Sequence, residues 1–143
     1  MAALHTALLA ELELRARDVD AHFGRRRPAL RSVYLGGGTP SLMSASQVEA
    51  LLQAVADRLG IAEGAEITLE ANPGPDEMGD LAAFRSAGVN RLSIGAQSLQ
   101  AAELQRLGRR HRPSDVAAAM HAARAAGVRR GGAECHPSRA RRG

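Results

Sequence analysis

From Leu4 to Phe23 apolar residues recur every three or four positions, so that Leu4, Leu8, Leu12 and Ala16, with Leu9, fall on one side of a helix. The stretch "GRRRP" breaks that period, and "LRSVYLG", from Leu30, predicts a strand. Helical spacing returns at Val48, Leu51, Leu52, Val55 and Leu59, opened by Ser44 to Ser46 and closed by Gly60. "AEITLEANPG" predicts a second strand that ends near Glu70 and is stopped by Pro73 and Gly74. Asp76 to Ala87 predicts a helix with Leu81 and Phe84 facing inward, closed by Gly88. "VNRLSIGAQS" is a third strand, Ala101 to Leu107 a short helix, and Ser114 to Ala126 an alanine-rich helix ended by Gly127.

Strands alternating with helices predict an α/β protein whose strands run parallel and are joined by right-handed crossovers, in a barrel or an open sheet. Aromatic residues form only 2% of the 143-residue chain, so Leu, Ala, Val and Ile must build the core. No apolar run approaches the roughly 20 residues of a membrane span. The first helix carries Glu11, Glu13 and Arg15 within its apolar pattern, unlike a secretory signal, so a cytoplasmic protein is expected. One cysteine, Cys135, excludes an internal disulfide.

All 19 basic residues are Arg, and the formal charge of +4 resides in the last fifteen residues, "RRGGAECHPSRARRG". Without aromatic stacking groups beside it, this is weak support for a nucleic-acid surface. The tail lacks apolar periodicity and is expected to be disordered, giving a folded part over residues 1–128 and a basic tail over 129–143.

The predicted strands end in "GGGTP", "LEANP" and "IGAQS". Parallel strands share one carboxyl-end face, where ligands of such folds bind. That edge would gather Gly36 to Thr39, Glu70 with Asn72, Gln97 with Ser98, and Arg109 from a later loop. Backbone amides and Arg109 can meet a carboxylate, Glu70 an amine, and Gln97 a ribose hydroxyl, so the set suits a small zwitterion bearing hydroxyls. The glycines fit neither phosphate motif. No GK[ST] follows them, and Ser41 stands where GxGxxG needs its last glycine.

The other polar residues point to less. His5, His22, His111, His121 and His136 do not show the spacing of a zinc helix; His111 stands out because it follows Arg109 so closely. Asp76, Glu77 and Asp80 suit the positive end of a helix, and Arg25 to Arg27 a solvated loop. Ser98 has no evident His–Asp partners for nucleophilic chemistry.

"VYLGGGTPSLMS", "ITLEANPG", "GVNRLSIGAQS" and "LGRRH", in that order, resemble the radical S-adenosylmethionine (SAM) family. The subgroup is the one containing oxygen-independent coproporphyrinogen III oxidase and the heme chaperone HemW. The resemblance runs from Leu4 to Val128, and the Ser after "GGGTP", the "EANP" and the "LGRRH" favour the HemW side. It implies a partial (β/α) TIM-like barrel with SAM across the strand ends. It further implies that Gly37, Gly38 and Thr39 contact the methionine end, Glu70 a polar SAM group, Gln97 the ribose, and Arg109 the carboxylate.

The family's [4Fe–4S] cluster is held by three cysteines of a CxxxCxxC loop upstream of "GGGTP", and this sequence has Cys135 alone. The chain therefore reads as a fragment that keeps part of the SAM pocket, cannot bind the cluster itself, and comes from a protein of heme handling or porphyrin metabolism. The alternative is a non-catalytic nucleoside- or heme-binding module, or an inert gene fragment. Glu134 falls about where the family has a further acidic SAM contact, but no strand is expected around it. The loss of pattern there suggests a frameshifted or degraded end. A barrel lacking its first and later strands would expose two sheet edges and self-associate through them.

Overall fold

A computed structural model of the chain describes residues 2–24, 26–74, 76–128 and 130–135. Arg25 of the basic loop, Arg129, and residues 136–143, with His136, lie outside the described residues.

The chain opens with α1 (Ala2–Phe23) and then alternates: β1 (Leu30–Leu35), α2 (Ala45–Leu59), β2 (Ile61–Ala71), α3 (Leu81–Ser86), β3 (Arg91–Gln97), α4 (Ala101–Arg106), α5 (Pro113–Ala125) and β4 (Arg130–Cys135). The four strands form one parallel sheet in the order β1-β2-β3-β4. Each crossover thus adds the next strand on the same side, which is the construction of a (β/α) barrel cut open.

The alternation of each strand sorts its side chains. Leu69, Ala71, Leu92 and Ile94, with Val33, Leu35 and Ile67 beside them, meet Val48 and Leu52 of α2, Leu81 and Phe84 of α3, and Ala119 and Ala123 of α5. The other face carries Tyr34, Glu66, Thr68, Glu70, Arg91 and Ser93. There Arg91 Nε lies 3.7 Å from Glu66, and its Nη1 donates to Thr68 Oγ1 at 3.3 Å.

The caps of α2 follow from its sequence. Ser44 Oγ accepts from Gln47 N, Gln47 Oε1 accepts from Ser44 N, and Gly60 closes the helix at φ 73°. α1 is fastened to α2 by Arg58, whose Nε lies 2.7 Å from Glu13 Oε2, and by His5 Nε2, which donates to Gln47 O at 3.1 Å.

Four elements differ from the pattern-based expectation. β4 spans residues 130–135, where a disordered tail and no strand around Glu134 were expected. Its sequence "RGGAEC" has no apolar alternation to reveal it, and main-chain pairing with β3, with Gln97 opposite Cys135, defines it. α3 begins at Leu81, not at Asp76, because Gly79 turns the chain at φ 64° and Asp80 caps the helix by accepting from Ala83 N at 2.9 Å. β2 starts at Ile61 and carries an irregularity, so that the register jumps between Leu30 and Ser32 of β1. On α1 only Ala16 of the expected face is fully covered; Leu4 is 52% exposed and Leu8 37%.

Among the described residues no helix is long and apolar enough to cross a membrane, and no three His, Cys, Asp or Glu side chains gather as a metal group.

Candidate functional site at the carboxyl edge of the sheet

Each glycine after β1 has its own physical reason. A Cβ on Gly36 would lie 2.7 Å from the Tyr34 ring and 3.0 Å from the Glu70 carboxyl carbon, so only glycine lets those side chains close over the backbone. Gly37 and Gly38 adopt φ 88° and 71°, and open space surrounds the position a Cβ would take on either. The loop then enters a short 3₁₀ turn, Pro40–Leu42, led by Thr39.

This loop is bound to the end of β2. Gly37 N–H donates to Glu70 Oε2 at 3.0 Å, and Tyr34 Oη donates to Glu70 Oε1 at 2.7 Å. One residue past β2, Asn72 Nδ2 donates to Thr39 Oγ1 at 3.2 Å. Deeper in, the buried Ser41 hydroxyl donates to the carbonyl of Glu77, tying the glycine loop to the segment before α3.

Glycine also shapes the end of β3. A Cβ on Gly95 would lie 3.3 Å from Asn72 Oδ1 and 3.4 Å from Gln97 Nε2, so the two amide side chains converge over bare backbone. Gln97 itself sits at φ 62°, and Ser98 N–H closes onto Ala96 O at 2.7 Å. Ser98 Oγ donates to Glu103 Oε2 at 2.5 Å and accepts from Gln100 N at 3.0 Å, a structural duty that opens α4.

Arg109 reaches the edge from the α4–α5 loop. It lines a cavity of about 290 Å³ with Asn72, Asp76, Glu77, Arg110 and His111. Two acidic and two arginine residues thus border the cavity, with no net formal charge between them.

Gly37, Gly38, Thr39, Glu70 and Gln97 are therefore brought to one edge, with Asn72 touching both Thr39 and the Gln97 neighbourhood. Arg109 stands in the adjoining cavity, which Asn72 also lines, and forms no hydrogen bond or ion pair with Glu70 or Gln97 among the described residues. Two participants escaped the sequence reading. Tyr34 orients Glu70, and Gly95 makes room for the amides. The signal for Tyr34 was the strand period itself, since its register partner Thr68 lies two residues before Glu70 on the same face.

The structure is thus a sequential parallel α/β sheet with a glycine-rich first strand end, an acid and amides at the same edge, and an arginine in the adjoining cavity. The chain belongs to the radical SAM superfamily, whose profile matches residues 10–135.

Within that class it is 43% identical over 112 residues to the heme chaperone HemW of Escherichia coli, covering 78% of this chain and 29% of the relative. It is 54% identical over 95 residues to mouse radical S-adenosyl methionine domain-containing protein 1, mitochondrial, covering 66% of this chain and 22% of the relative. Among solved structures, the Escherichia coli coproporphyrinogen III oxidase HemN, described as a radical SAM enzyme, superposes with a TM-score of 0.72. The identity is 26%, over 90% of this chain and 28% of HemN. The chain thus spans between a fifth and a third of the length of these relatives.

Proposed function

We propose that this chain is the part of a HemW-like radical SAM protein that receives the amino-acid and ribose portions of SAM, and that it does not itself hold the [4Fe–4S] cluster. The observation that carries the reading is the convergence of Gly37, Gly38, Thr39, Glu70, Asn72 and Gln97 on one edge, with Arg109 in the adjoining cavity.

The residues fit SAM. Gly37 and Gly38 leave open ground for the methionine end, and Thr39 offers its hydroxyl beside them. Glu70 is held by Tyr34 and Gly37 yet keeps a spare lone pair on each oxygen for an ammonium group. Gln97 offers an amide to a ribose hydroxyl, and Arg109 a guanidinium to a carboxylate. When bound, SAM supplies a sulfonium able to accept an electron. The cluster that delivers that electron needs three thiolates, and the one cysteine of this sequence does not supply them. Alone, the chain binds and orients; it performs no radical chemistry.

Names of the relatives point to heme or a porphyrin as what the larger protein handles. The cytoplasm remains the proposed compartment, with the mitochondrion of the mouse relative's name as the second.

Calorimetry on the full chain tests the binding role. SAM and S-adenosylhomocysteine should bind, and adenosine far more weakly, because Glu70 and Arg109 grip the amino-acid end. Equal affinity for adenosine would favour a plain nucleoside-binding module, and no binding of any of the three would leave an inert fragment. Anaerobic reconstitution with iron and sulfide should yield no cluster absorbance; a stoichiometric cluster would overturn the cluster claim.

A further inference from the structure

We propose that His111 is a positioning residue: its hydrogen bond to the carbonyl of Ala96 locks the turn that presents Gln97 and fixes the loop that carries Arg109. For its ligand this deepens, and rests on, the binding role proposed above.

His111 is only 7% exposed, and its Nε2 lies 3.0 Å from Ala96 O, fifteen residues back along the chain. A carbonyl oxygen can only accept, so Nε2 carries the proton. The same oxygen accepts from Ser98 N–H at 2.7 Å, which closes a three-residue turn over Gln97. Gln97, at φ 62°, is the only non-glycine at positive φ among the described residues. A turn of this hand is rare and strained for a residue with a side chain, and persists only where its surroundings impose it.

The buried carbonyl of Ala96 has two lone pairs; Ser98 occupies one and His111 the other. Without His111 the peptide can turn over, carrying Gln97 to negative φ and its amide away from Gly95 and Asn72. The same bond works in the opposite direction. The loop between α4 and α5 is pinned at Arg109, whose N–H donates to Leu104 O at 2.9 Å, and again two residues on by the His111 ring. One hydrogen bond therefore ties together the residues assigned to the ribose and to the carboxylate.

The test compares His111→Phe, which fills the space without a donor, with His111→Gln, whose amide can donate near the place of Nε2. Loss of one such bond should weaken SAM binding by about tenfold in His111→Phe, and His111→Gln should restore most of it. Gln97→Ala should then cost little further affinity in the His111→Phe background, because the two residues act through one turn. Additive losses would overturn the proposal. A second readout needs no ligand. NMR of the free chain should show His111 as the Nε2–H tautomer, with the Gln97 and Ser98 signals displaced in His111→Phe and returned in His111→Gln. Unchanged Gln97 and Ser98 signals in His111→Phe would overturn the positioning role even if SAM binds. Absence of SAM binding by the parent chain would count only against the binding role, since the NMR comparison decides the positioning claim by itself.

Discussion

The main-chain amide of Gly37 donates to Oε2 of Glu70 at 3.0 Å, joining residues 33 positions apart. Tyr34 takes the other oxygen of that carboxylate at 2.7 Å. The acid is thus held in one orientation by its own chain, and little of its rotamer freedom is left to lose.

Glu70→Ala should therefore do two things at once. Loss of the acceptor for Gly37 and Tyr34 should lower stability by only about 1 kcal/mol, because both bonds are exposed to solvent. SAM affinity should fall at least tenfold. Chemical denaturation and calorimetry check the two effects separately. A variant that binds SAM normally would remove Glu70 from the site.

Tyr34 is the sole tyrosine and the chain has no tryptophan, so intrinsic fluorescence comes from the ring that bonds Glu70. Bonding to a carboxylate quenches tyrosine emission. Gly36→Ala places a methyl 2.7 Å from the ring and should push it off Glu70, raising emission and lowering stability by about 1 kcal/mol through the lost bond. Gly37→Ala meets no neighbouring atom but must hold φ 88°, and should cost about 1–2 kcal/mol with emission changed less.

Phe84→Ala should cost about 3–5 kcal/mol, enough to unfold much of a small domain at room temperature. The ring is 2% exposed at the centre of the core and bears on the Gly79 turn, where an added Cβ would lie 2.6 Å from it. Far-UV circular dichroism against temperature is the measurement; a cooperative melt like that of the parent would contradict the central place given to this ring.

Much of this arrangement was legible in the chain. The glycine punctuation after β1 and the polar residues at the ends of β2 and β3 located the edge, because parallel strands must finish on one side. Ser44 and Gly60 bounded α2 by ordinary capping chemistry. β4 was not legible, since two glycines and no apolar alternation leave only main-chain pairing to define it. The start of α3 is masked in the sequence because Asp76 and Glu77 suit a helix N-terminus, whereas Gly79 turns the chain before the helix begins at Leu81. The Tyr34–Glu70 and His111–Ala96 bonds join residues far apart in sequence, and periodicity carries no information about such pairs.

The apolar residues of α1 lead to a further expectation. Leu4, Leu8, Leu14 and Phe23 are exposed, and β1 stands at one edge of the sheet. Sedimentation should show association that grows with protein concentration. Leu4→Lys with Leu8→Lys should shift the chain toward monomer while leaving SAM affinity unchanged, since neither residue belongs to the group formed by the glycine loop, Glu70, Asn72 and Gln97. A monomer at all concentrations in the parent chain would contradict this.

The strictly sequential order of the four strands has one more consequence. Each strand–helix unit is laid down against the one just completed, so no partner has to be awaited from farther along. Such a chain can assemble progressively as it leaves the ribosome, and further units can be appended at a flank without rethreading those in place.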